Sequence, residues 1–74
     1  MIKKTVEIAI STDFVTLGQL LKIANIIGSG GEAKSFLATN EILVNGVLDN
    51  RRGRKLRDQT MVEIDQVGYR IVKK

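Results

Sequence analysis

Cysteine and histidine are both absent from the 74 residues. Without them, disulfide frameworks, Cys/His zinc sites, and thiol or imidazole catalysis are excluded. Proline and tryptophan are missing as well, and Phe14, Phe36 and Tyr69 are the whole aromatic complement. The core must therefore be built from Ile, Leu and Val, and stacking of single-stranded bases on aromatic rings is not expected as a main binding mode. No apolar run approaches the roughly 20 residues of a membrane span. Lys3 and Lys4 precede a segment of alternating polarity rather than an apolar core. Residues 5–10 thus do not read as a secretory signal, and a cytoplasmic location is the default expectation.

What is present fits one small folded domain spanning residues 1–74. Hydrophobic residues make up 43% and charged residues 27%, too apolar a balance for a disordered tail. A chain this short buries only about 60% of its unfolded surface. It has little room for an enclosed active site and is better suited to presenting a surface. No small-molecule substrate, cofactor or metal is expected, and the chain reads as a monomer that is not an enzyme.

The charge is uneven. Residues 1–50 carry four lysines against five carboxylates, whereas residues 51–74 carry eight bases against three. Arg51, Arg52, Arg54, Lys55 and Arg57 fall within seven residues. So local a basic concentration is the electrostatic footprint of a surface that meets phosphates, although a solvated, solubilising loop would look the same.

Along the chain, Val6, Ile8 and Ile10 alternate as in a strand. Thr16-Leu17-Gly18-Gln19 is a Thr-x-x-Gln capping box, and Leu17, Leu20, Leu21, Ala24 and Ile27 behind it follow a helical stripe. Gly18, Gln19, Lys22 and Asn25 fall on the opposite side. Gly28-Ser29-Gly30-Gly31 is expected to break this helix. Ser29-x-x-Glu32 reads as a second capping box, with Ala33, Phe36 and Leu37 on the buried side and Asn40 as a left-handed terminator. Ile42-Leu43-Val44, Asn45-Gly46 and Val47-Leu48 form a hairpin signal, since Asn-Gly supplies the positive φ values of a type I′ turn. Residues 49–58 read as a polar, basic connection. Residues 61–64 and 69–72 read as two further strands joined by a turn at 65–68. This order predicts an α+β fold, with two short helices packed on a small antiparallel sheet and an added N-terminal strand.

The glycine turn could serve as a phosphate cradle at a helix start, but it lacks the Gly-Lys-Ser/Thr ending of a nucleotide-binding loop. The carboxylates are dispersed, and Ser29 has no histidine or suitably spaced lysine to activate it. Lys22 and Lys34 would each be an ordinary solvated lysine if alone. Both flank the glycine turn, and both could face the same way as the basic segment.

Taken in order, Thr16-Leu17-Gly18-Gln19-Leu20-Leu21-Lys22, Ser29-Gly30-Gly31-Glu32-Ala33-Lys34-Ser35-Phe36-Leu37 and Ile42-Leu43-Val44-Asn45-Gly46 resemble the RNA-binding domain of ribosomal protein S-four, the alpha-L fold. The resemblance covers about residues 16–64. With Asn50-Arg51-Arg52-Gly53-Arg54-Lys55-Leu56 after the hairpin, it is nearest to the short stand-alone bacterial YaaA-type proteins. It implies RNA binding through the two-helix face, lined by Gln19, Lys22, Ser29, Gly30, Gly31 and Lys34, with Asn45 and Gly46 nearer the edge. Gly30 stands where many members of that family have Arg, and the basic residues 51–57 would compensate.

The function expected is therefore a module that binds structured RNA, with ribosomal RNA or the ribosome as partner during ribosome assembly or translation. Structured RNA is recognised mainly through shape, phosphate and 2′-OH contacts. Two rivals remain at this level. One is a protein-interaction adaptor whose basic loop docks an acidic partner, and the other is a non-specific nucleic-acid-binding accessory protein.

Overall fold

The computed structural model describes residues 2–74. Alternation turns Ile8 and Ile10 of the first strand, β1 (Lys4–Ile10), into the core. A three-residue strand, β2 (Phe14–Thr16), runs directly into helix α1 (Leu17–Ile23), and α2 (Glu32–Thr39) follows. The chain then forms β3 (Ile42–Val44), β4 (Val47–Leu48), β5 (Lys55–Arg57), β6 (Met61–Ile64) and β7 (Val67–Lys73).

Five strands make one sheet in the order β1-β7-β6-β3-β4, and β2 and β5 form a separate antiparallel ribbon. The larger sheet is mixed rather than antiparallel, because β1 runs parallel to β7 with Ile8 opposite Ile71. Alternation fixes which face a strand buries but not its direction. Here the rest of the domain supplies the long crossover that a parallel pair needs. Leu17, Leu20 and Leu21 of α1 and Ala33 and Leu37 of α2 join Ile42, Val44, Val62, Ile64 and Ile71 of the sheet in one core. Each fully buried Leu or Ile in this cluster contributes about 1.5–3 kcal/mol of transfer free energy.

The helix ends depart from the pattern read in the sequence. Helix α1 stops well before the glycines, with Asn25 in the left-handed region at φ 63°. The Asn25 amide donates to the Lys22 carbonyl (3.0 Å) and the Ile26 amide to the Leu21 carbonyl (2.9 Å), the paired bonds of a Schellman terminus. Ile27 is still buried, but as part of the link between helices. At the start of α2, Ser29 forms no side-chain cap; Glu32 instead accepts from the Gly28 amide through Oε2 at 3.3 Å. Asn40 is extended rather than left-handed, and closes α2 by donating its backbone amide and Nδ2 to the Phe36 carbonyl, both at 3.0 Å.

Asn45 and Gly46 have φ values of 52° and 83° and join β3 to β4 as a tight two-residue turn. The β6–β7 turn is shorter than the sequence suggests. Asp65 and Gln66 alone make it, both at positive φ, and Val67 and Gly68 belong to β7. Residues 55–57, expected in a connection, are the strand β5. Leu56 pairs with Val15 across the ribbon, and both are buried.

Candidate nucleic-acid interface

The capping box at the start of α1 forms. The Thr16 hydroxyl accepts from the Gln19 amide at 3.3 Å, and Gln19 Oε1 accepts from the Thr16 amide at 2.8 Å. The next two free amides of this helix end go to the basic segment: Leu17 donates to the Arg54 carbonyl (2.8 Å) and Gly18 to the Arg52 carbonyl (3.0 Å). No amide of this first turn is left to bind an anion. The same bonds fasten the backbone of residues 52–54 beside α1, so the arginine-rich stretch is an anchored part of the fold.

Gly18 is buried, contrary to the outward position its helical phase suggests, because the Arg52 stem lies across it. A Cβ at Gly18 would stand 2.6 Å from Arg52 Cγ, so only glycine allows the two segments to approach this closely.

Asp49 organises the turn that follows β4. Its Oδ1 accepts from the Arg51 amide (3.0 Å) and Nε (3.1 Å), and its Oδ2 accepts from Nη2 (2.9 Å). These bonds from the Arg51 side chain and backbone hold the Asp49 carboxyl at about 2, against burial that pushes the other way. Arg54 Nε lies 3.7 Å from the same carboxylate. Asp49 thus offsets part of the positive charge of residues 51–54 and fixes Arg51, whose side chain remains 69% exposed.

Three shallow depressions show how these residues are grouped. One, of about 380 Å³, is walled by Gln19 and Lys22 of α1, Gly30 and Ala33 at the start of α2, and Arg52 with Gly53. A second, also about 380 Å³, is walled by Lys34, Leu37 and Ala38 of α2 with Asn50 and Arg52. Arg52 therefore borders both, with Lys22 across one and Lys34 across the other. The third, of about 390 Å³, lies among Arg51, Gly53, Arg54 and Lys55. Among the described residues, none of Lys22, Lys34 and Arg52 is held in an ion pair.

Other residues singled out from the sequence fall elsewhere. Ser29 and Gly31 line none of these depressions. Glu32 and Ala33 donate their amides to the Ser29 and Gly30 carbonyls, and the Glu32 carboxylate already sits against Gly28. Asn45 is tied into the sheet: it donates its amide to the Met61 carbonyl (2.8 Å) and accepts from the Met61 amide through Oδ1 (3.0 Å). Gly46 completes that turn. Lys55 and Arg57 point away from the buried Val15–Leu56 pair, towards Phe14.

Sequence reasoning missed Asp49, Asn50, Gly53 and Phe14. For Asp49 a signal existed, because an aspartate two residues before an arginine can accept its backbone amide. Phe14 stood isolated, with no pattern to mark it.

Among the described residues no helix is long and apolar enough to cross a membrane. A family model described as S4 domain matches residues 8–72, nearly the whole chain. The chain is also similar to a protein of Bacillus subtilis (strain 168) named "Probable ribosome maturation protein RlbA". The two are 56% identical over 61 residues, which cover 82% of this chain and 86% of that one.

Proposed function

The chain belongs to the S4 domain family, and from that premise we propose that it is an RNA-binding module that engages structured ribosomal RNA during ribosome maturation. The observation that carries this reading is the position of Arg52 between two lysines, with Lys22 on one helix and Lys34 on the next. Among the described residues none of the three is in an ion pair, and such cations bordering two adjoining depressions suit successive phosphates of a folded backbone, each contact gaining affinity by releasing counterions. Gln19 and Gly30 form the walls between them. Gln19 spends only its Oε1 on the cap, so its Nε2 is left to donate outward, to a phosphate or 2′-OH. Arg51 and Arg54 extend the positive surface along the anchored turn.

Binding rather than catalysis is favoured by the chemistry available. The face offers cations, an amide and backbone, with no nucleophile–base pair. The similar protein's name, with its reference to ribosome maturation, supports the choice of ribosomal RNA. The test is ultraviolet crosslinking in cells followed by sequencing of the RNA that co-purifies. Enriched ribosomal fragments are expected, and a complex free of RNA would overturn the reading.

A further inference from the structure

The β2–β5 ribbon buries Val15 and Leu56 on its inner side, so the flanking pairs Phe14–Arg57 and Thr16–Lys55 lie on its outer side. There Lys55 Nζ stands 5.0 Å and Arg57 Cζ 5.4 Å from the centre of the Phe14 ring. The negative face of the ring attracts both cations and restrains two otherwise flexible side chains. Like charges gathered on one ring also repel each other. Among the described residues neither has an ion-pair partner. Asp13, whose carboxyl feels the charge of Arg57, is bonded to Lys73 Nζ at 2.6 Å. The partner that this pair lacks is an anion.

We propose that Lys55 and Arg57, gathered over Phe14, form a second phosphate-binding site on the outer face of the β2–β5 ribbon, one that takes a backbone phosphate of the same RNA. The identity of that ligand rests on the function proposed above; the anion site itself does not. The basic segment is thereby divided. Arg52 turns towards α1 and the helix face, while Lys55 and Arg57 alternate with buried Leu56 onto the ribbon. The two sets adjoin, because Thr16, opposite Lys55 in the ribbon, also lines the depression that holds Lys22 and Arg52, so one RNA can reach both.

Two measurements test the site. In the first, the backbone amides of the folded protein are followed by NMR during titration with inorganic phosphate. Shifts are expected at residues 14–16 and 55–57, and they should vanish in the Lys55→Gln/Arg57→Gln variant. No shift in the wild type would overturn the anion site, whatever the RNA results. In the second, the affinity for a hairpin-containing ribosomal RNA fragment is measured against salt. Losing one phosphate contact should lower the slope of log affinity against log salt by about 0.7–0.9 in the same variant. Phe14→Leu keeps a hydrophobic residue and every charge. It should weaken binding several-fold in the wild type and not at all in the Lys55→Gln/Arg57→Gln background. An unchanged slope, or an equal effect of Phe14→Leu in both backgrounds, would show that the trio does not hold RNA.

Discussion

Arg52 and Gly18 are joined twice: the Arg52 carbonyl accepts the Gly18 amide at 3.0 Å, and the Arg52 Cγ fills the space where a Cβ at Gly18 would lie. The backbone bond holds residue 52 beside α1, where Arg52 packs on Gly18 and borders depressions lined by both helices. Capping, packing and placement of the central cation therefore converge on this one contact.

Gly18→Ala should separate those roles. Alanine favours a helix interior by up to about 1 kcal/mol over glycine, whereas forcing a methyl group against Arg52 costs about 1–3 kcal/mol. A small net loss of stability is expected; about 1 kcal/mol would lower Tm by roughly 4–8 °C in a domain of this size. RNA affinity should fall as far as in Arg52→Ala, although no charge has been removed. Anisotropy titrations with thermal melts check this, and full affinity in Gly18→Ala would show that Arg52 needs no such placement.

Asp49 sets an acid-range dependence. Its folded pKa of about 2 lies below the unfolded value of about 3.9, so the stabilisation is complete above about pH 5 and is lost progressively as the pH falls towards 2. Screening at exposed Arg51 limits it to on the order of 1 kcal/mol. Denaturant melts of wild type and Asp49→Asn should differ by a constant amount above about pH 5 and converge as the pH falls towards 2. The same variant frees Arg51 and adds one net positive charge, and should bind RNA more tightly at low salt.

Much of this arrangement was legible in the sequence. Thr16 and Gln19 announced a cap through their spacing, and Asn45-Gly46 announced its turn, because both devices are local. Lys22 and Lys34 could be placed on helix faces by phase alone. The parallel pairing of β1 with β7 could not be read, since alternation carries no direction. The strand β5 was hidden because a three-residue strand shows only one inward residue, Leu56, among bases. Ser29 was misread as a cap because the Glu32 carboxylate reached Gly28 instead, one residue further back. The Phe14–Lys55–Arg57 cluster depends on a register between segments far apart in the chain, which no local pattern encodes.

Asn45 separates a structural role from a binding one. Asn45→Ala loses the Oδ1 bond to the Met61 amide and places a Cβ-bearing residue without a compensating side-chain bond at positive φ. Together these should cost roughly 2 kcal/mol. RNA affinity measured well below the variant's Tm should be unchanged. A loss of affinity without a loss of stability would place Asn45 on the RNA after all.

The most direct test of the account compares a hairpin-containing ribosomal RNA fragment with a DNA of matched sequence, for wild type and for Lys22→Ala/Lys34→Ala, by fluorescence anisotropy at physiological salt. The two-helix face is expected to read A-form shape and 2′-OH groups. Wild type should therefore bind the RNA more tightly, and the double variant should lose most of that preference while keeping the weaker charge-driven binding common to both. Equal affinity of the wild type for RNA and DNA, with the same salt dependence, would contradict a specific RNA-binding face and leave only an electrostatic patch.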